Sequence, residues 1–136
     1  MKKVILSFVL GLSWFCTIAQ KPGSDLLTPT NHALVLIDHE GQMAFATNNA
    51  SMELLRNNVA IVAGASKIFN VSTIVTTVAE KTFSGPVFPE ILEVYPDHSK
   101  YIDRTTMNTW EDVNAHKAIT GTGKKKIVMS GLWTSV

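Results

Sequence analysis

The sequence predicts an α/β domain: a parallel sheet with helices on both faces. Three observations lead there. Several apolar runs are continuous rather than alternating, the segments between them carry apolar residues at steps of three and four, and the two kinds of segment take turns along the chain. Ala33-Leu34-Val35-Leu36-Ile37 ends at Asp38 and has the pattern of a strand buried on both faces. After a polar turn around Gly41 and Asn48-Asn49, residues 51–69 place Met52, Leu55, Val59, Val62, Ser66 and Phe69 on one helical face. Ser72 to Val78 (STIVTTV) is β-branched and reads as the second strand. Pro89 suits the first turn of a short helix through Ile91-Leu92, which Pro96 closes. Tyr101-Ile102 reads as a short third strand running into Asp103-Arg104. Thr109 is expected to cap the next helix, with Asp112 three residues on in a capping-box-like position and Gly121 at its end. Ile127 to Ser130 is the fourth strand. Right-handed crossovers between such strands produce a parallel sheet.

At 136 residues the chain holds one domain, and its composition (46% hydrophobic, 17% charged) is that of a globular protein. Part of the apolar excess is local. Residues 1–20 open on Met1-Lys2-Lys3 and continue as VILSFVLGLSWFCTIA without a charge, a pattern expected of a secretory signal cleaved after Ala19. The run of about 16 residues is short of the roughly 20 that cross a bilayer, so no lasting membrane association is expected after cleavage. Trp14-Phe15 ahead of Cys16 argues against a lipoprotein signal. Residues 21–32 (KPGSDLLTPTNH) read as a linker. The expected destination is therefore outside the cytoplasm, periplasmic or secreted.

Loss of residues 1–20 removes two lysines and no acids, taking the formal charge from +1 to −1. No basic field then speaks for nucleic acid; Lys124-Lys125-Lys126 reads as a solvated loop before a strand. Cys16 is the single cysteine, so the mature chain carries neither disulfide nor thiol nucleophile. His32, His39, His98 and His116 show no metal-ligand spacing, and no cofactor fingerprint such as GxGxxG is present. Gly121-Thr122-Gly123-Lys124 faintly resembles a phosphate loop but follows a helix and lacks the Ser/Thr after lysine.

Two charged residues stand at strand ends, where doubly wound sheets bind ligands: Asp38 after the first strand and Arg104 after the third. Taken singly, Asp38 reads as a turn-former and Arg104 as a surface ion-pair partner. Together they suggest a charged pair in one cleft.

Four blocks in series, LVLIDHEGQMAF, TIVTTVAEKTFSGPVFPEI, YIDRTTMNTWED and KKIVMSGLWTSV, resemble the isochorismatase-like cysteine hydrolases from about Ala33 to Val136. The resemblance implies a Rossmann-like three-layer αβα sandwich, with residues 33–136 forming a partial domain of four strands. It implies a triad of Asp, a cation (usually Lys) and Cys. Asp38 takes the place of the base that receives the thiol proton. Arg104 stands where most relatives have Lys; its guanidinium can favour a thiolate but stays ionised, so it is a poor proton donor. The family pattern GxxTxVC runs here as Gly131-Leu132-Trp133-Thr134-Ser135-Val136, so the cysteine is expected directly after Val136.

Trp133 and Thr134 fall where relatives form the oxyanion region and carry a cis peptide. A non-proline cis bond costs about 3–4 kcal/mol and needs surrounding structure, so with no following helix it is not expected to be kept. The implied chemistry is thiolate attack on an amide- or carbonyl-type carbon of a small molecule, followed by hydrolysis without a cofactor. Full-length relatives commonly form homo-oligomers. The fourth strand is expected to pair with the first and to leave its other edge open. Phe45, Met107, Trp110 and Trp133 either line an apolar pocket or, more commonly for such residues, belong to the core. By itself the chain is expected to be an inactive fragment; the alternative is a binding or assembly module without a nucleophile, or a gene fragment with no independent function.

Overall fold

The computed structural model describes residues 26–134, so the expected signal segment and the first five linker residues lie outside it. Four strands form one parallel sheet in the order β3-β2-β1-β4: β1 His32–Ile37, β2 Ser72–Val78, β3 Ile102–Arg104 and β4 Lys126–Gly131. Four α-helices accompany them: α1 Gly41–Phe45, α2 Met52–Ile68, α3 Pro89–Val94 and α4 Val113–Gly121. The expected pairing of the fourth strand with the first is present, with Leu34 opposite Val128 and Ile37 opposite Gly131.

The alternation of β1 side chains creates two cores. Leu34 and Leu36 face a layer built from Val59 and Ala63 of α2, Ile91 of α3, Val87 and Phe88. Ala33, Val35 and Ile37 face the other way, against Ile74 and Ile119 of α4. Both faces of β1 are therefore dry, which is why its sequence is apolar without alternation. Each fully buried Leu or Ile contributes roughly 1.5–3 kcal/mol, and β1 supplies the largest share of the core. The result is the αβα sandwich that the sequence predicts.

Local signals explain the element boundaries. Ser51 caps α2, its hydroxyl accepting from the Leu54 N–H at 3.2 Å. At the other end Asn70 turns left-handed (φ 52°), Val71 N–H donates to Ser66 O and Asn70 N–H to Lys67 O. That is a Schellman closure with Asn in the usual Gly position. The buried stripe of α2 is Val59, Ala63 and Ser66, while Met52 and Phe69 at its ends are exposed.

Several boundaries differ from the sequence expectation. His32, assigned to the linker, is the first residue of β1, and Asn31 closes a turn before it by accepting from Thr28 N–H. Gly41–Phe45 forms a helix where a polar turn was expected. Asp112, not Thr109, caps α4: its carboxylate accepts from Asn114 and Ala115 N–H, both at 2.9 Å. Thr109 instead begins a 3₁₀ turn headed by Asn108. Of the four large side chains left open between pocket and core, Phe45, Met107 and Trp110 are exposed and Trp133 is half-buried, so none is core.

Candidate active site

Asp38 leaves β1 at its carboxyl end with φ 51°, a left-handed conformation that Asp tolerates better than most residues. The turn breaks the strand's alternation and aims the carboxylate along the sheet rim. Arg104, the last residue of β3, lies two strands away, and its side chain crosses the end of β2 to meet Asp38. The two form an ion pair from Arg104 Nη2 to Asp38 Oδ2. Thr76 of β2, lying between them, donates its hydroxyl to Asp38 Oδ1 at 3.2 Å. Arg104 Nη1 also donates to the carbonyls of Thr106 and Met107, which fixes the guanidinium plane. Asp38 and Arg104 are each 2% exposed, so the surface ion pair suggested by position alone does not fit, while Asp38 does make the turn after β1.

Burial raises the Asp38 carboxyl above its ordinary value, with Arg104 and the Thr76 hydroxyl pulling the other way. A carboxylate so poised accepts a proton more readily than one in water.

Two neighbours that the sequence did not single out as buried complete the rim. His39 is buried and pushed down to about 4, so its imidazole is neutral at neutral pH. Its Nε2 lies 3.0 Å from Ser130 Oγ, while Nδ1 is buried with no hydrogen-bond partner. The tautomer with the lower burial cost puts the proton on Nε2, leaving a bare lone pair rather than an unpaired N–H inside. Glu40 is fully buried, accepts from Val78 N–H at 3.0 Å and is pushed up to about 8, by burial first and by Asp38, Asp103 and Glu80 after it.

The β4 exit emerges beside Asp38, because Ile37 pairs with Gly131. Trp133 Nε1 donates to Met43 O of α1 at 2.9 Å and pins that exit. A cleft of about 470 Å³ opens there between Thr47, Asn48, Asn49 and Leu132 to Thr134. The Trp133–Thr134 peptide is trans, and no bond among the described residues is cis. Among those residues no three of His, Cys, Asp and Glu converge as a metal group, and no helix is long and apolar enough to cross a membrane.

No family model matches the sequence. The chain is 32% identical over 111 residues to the probable hydrolase YcaC of Escherichia coli K12, covering 81% of this chain and 53% of that protein. The crystal structure of that YcaC gene product, described as an octameric hydrolase of unknown specificity, superposes with a TM-score of 0.73 at 33% identity, over 82% of this chain and 54% of that one. YcaC from Pseudomonas aeruginosa, solved with hexane-2,5-diol and covalent acrylamide, gives 0.73 at 30% identity over 82% and 55%. An isochorismatase from Pseudomonas putida KT2440 shares the fold alone, at a TM-score of 0.61 and 14% identity, over 87% of this chain and 63% of that one. The chain spans about half the length of the YcaC relatives it matches. Sequence identity to the YcaC proteins and the parallel β3-β2-β1-β4 sheet agree: over the part they share, the chain is similar to the YcaC hydrolases, and it has the fold of the isochorismatase-like proteins.

Proposed function

We propose that Asp38 and Arg104 are the base and the cation of a covalent hydrolase site whose third group, a cysteine thiol, directly follows Val136. The observation that carries this reading is the ion pair buried at the carboxyl rim of the sheet, one strand from the β4 exit. A buried pair is often no more stabilising than an apolar pair of the same size. Its presence at a ligand-binding rim therefore favours chemistry over stability as its reason.

In this mechanism Asp38 takes the thiol proton and the thiolate attacks a carbonyl carbon of a small amide-type substrate. The S–C bond forms and negative charge moves to the carbonyl oxygen, which backbone N–H groups near Trp133 and Thr134 would hold. Collapse expels the leaving group with the proton returned from Asp38, and water cleaves the thioester. Arg104 favours the thiolate and stays charged throughout, acting as electrostatic support rather than as an acid. The leader composition of residues 1–20 supports an exported protein. The octameric YcaC relative supports self-assembly of the whole protein.

The 136 residues offer no thiol besides Cys16. In this proposal turnover requires the cysteine placed after Val136. Reading the gene downstream of the Val136 codon tests the proposal. A Cys codon in the next position, followed by further strand–helix pattern, is expected. A reproducible stop codon with no such remnant in any frame overturns it.

A further inference from the structure

Glu40 occupies an unusual position for a carboxyl group: it is fully buried, and it sits two residues after Asp38, just beyond the end of β1. Its partner is the backbone N–H of Val78, the last residue of β2. That bond is informative because of where the β1–β2 ladder stops. Asp38 N–H still donates to Thr76 O at 3.2 Å. In a regular parallel ladder, a residue whose N–H bonds one partner carbonyl accepts at its own carbonyl from the N–H two residues further along the partner strand. For Asp38 that donor is Val78 N–H. Asp38 is left-handed instead, which swings its carbonyl out of the ladder, and the Glu40 carboxyl receives the Val78 N–H in its place. Glu40's backbone is anchored as well, bridged to Val87 and accepting at its carbonyl from Ala44 N–H of α1.

We propose that Glu40 is a positioning residue of the Asp38 site: its carboxyl replaces the backbone carbonyl lost from the ladder at Asp38 and so holds Asp38 facing Arg104. This deepens the hydrolase proposal and rests on it for the purpose of the placement. An N–H left buried without an acceptor costs about 1–3 kcal/mol, so without Glu40 the left-handed turn at Asp38 loses its compensation. The groups facing Glu40 are Asp38 from its own segment, Glu80 from the turn after β2 and Asp103 from β3, all acidic. Arg104 faces Asp38, not Glu40, and the neighbouring His39 is neutral. With three carboxyls around it and its Oε1 unpartnered, Glu40 works in its protonated form, holding its proton up to about pH 8. A neutral side chain with the same reach and one acceptor oxygen should serve equally well.

The test is a carboxyl-carbon NMR titration of Asp38 in the full chain and in its Glu40→Gln and Glu40→Ala variants. Glu40→Gln is expected to leave the Asp38 midpoint in place and to remove the second inflection near pH 8 that reports Glu40. Glu40→Ala is expected to lower the midpoint toward the ordinary 3.8 as Asp38 swings out of its buried pair. An Asp38 midpoint unchanged by Glu40→Ala overturns the proposal. So does a midpoint that Glu40→Gln lowers, which stays decisive if the alanine variant fails to fold. The titration reads where Asp38 sits whether or not a thiol is served. The positioning proposal can therefore fail while the hydrolase proposal stands, and a missing Cys codon can sink the latter while the titration holds.

Discussion

The two flanks of the sheet are built on opposite terms. On the β3 side, Asp38, Arg104, Thr76 and Glu40 are all buried, and each is tied to a named partner on another strand. On the β4 side, Ile127 and Met129 are exposed, the latter by 71%. Apolar grooves of about 490 and 270 Å³ flank the strand on its two faces, the first lined by Leu34, Ile61, Val62 and Val128, the second by Val35, Ile37, Ile127 and Met129. Apolar surface is non-directional, so many different neighbours could cover the β4 flank. A buried charge pair needs particular atoms at particular distances, and these residues already supply them. The polar groups on the β3 flank are thus fixed by their own partners, while among the described residues the β4 flank presents an open strand edge suited to pairing.

Breaking the polar flank should have the largest effect. Arg104→Met leaves Asp38 buried without its counter-charge and is expected to cost about 3–5 kcal/mol, read from the urea midpoint. Adding Asp38→Asn in the same chain should recover much of that loss, since no charge is then left unpaired. If the double variant is as unstable as the single, the pair is not the unit described here.

The second effect is in pH. Glu40 keeps its proton up to about 8 when folded but releases it near 4.5 when unfolded. Folding therefore takes up a proton in that window, and Glu40 lowers stability as pH rises. His39 behaves in the opposite sense: unfolded it binds a proton below 6.5, folded only below about 4, so its contribution is lost as pH falls. The two slopes cancel between about 4.5 and 6.5. Above 6.5 only Glu40 remains, and stability should fall by about 1.4 kcal/mol per pH unit until about 8. The raised carboxyl of Asp38 acts in the same sense as Glu40 at the acid end of the range. Glu40→Gln should flatten the fall above 6.5, measured by denaturation at a series of pH values.

The smallest effect sharpens the contrast from the other flank. Met129→Lys on the exposed edge should change stability by no more than about 0.5 kcal/mol. Static light scattering should show less self-association, because an edge lysine discourages strand pairing. A loss as large as that from Arg104→Met would show that the β4 edge is part of this chain's own core.

The strands were legible because burial on both faces leaves a mark in composition: β1 and β2 are continuous apolar or β-branched runs, and their ends fall within a residue of expectation. Asp38 and Arg104 were legible as a pair because strand ends in a parallel sheet converge on one rim. Glu40 was not, because a glutamate after a strand ordinarily faces water, and nothing local announces a left-handed turn two residues earlier. The true cap of α4 was missed for a related reason. Thr109 and Asp112 both suit an N-cap, and the choice follows from the 3₁₀ turn between them. The Ser130 contact of His39 spans 91 residues, beyond the reach of any local pattern.

The central claim is that Asp38 is the base of a thiol site completed beyond Val136. The most direct measurement is the rate at which iodoacetamide alkylates that thiol in the full product of the reading frame, with and without Asp38→Asn. The account predicts fast labelling at neutral pH in the parent and its near-abolition in the variant, with the folded state retained. Equal rates in the two proteins would contradict it.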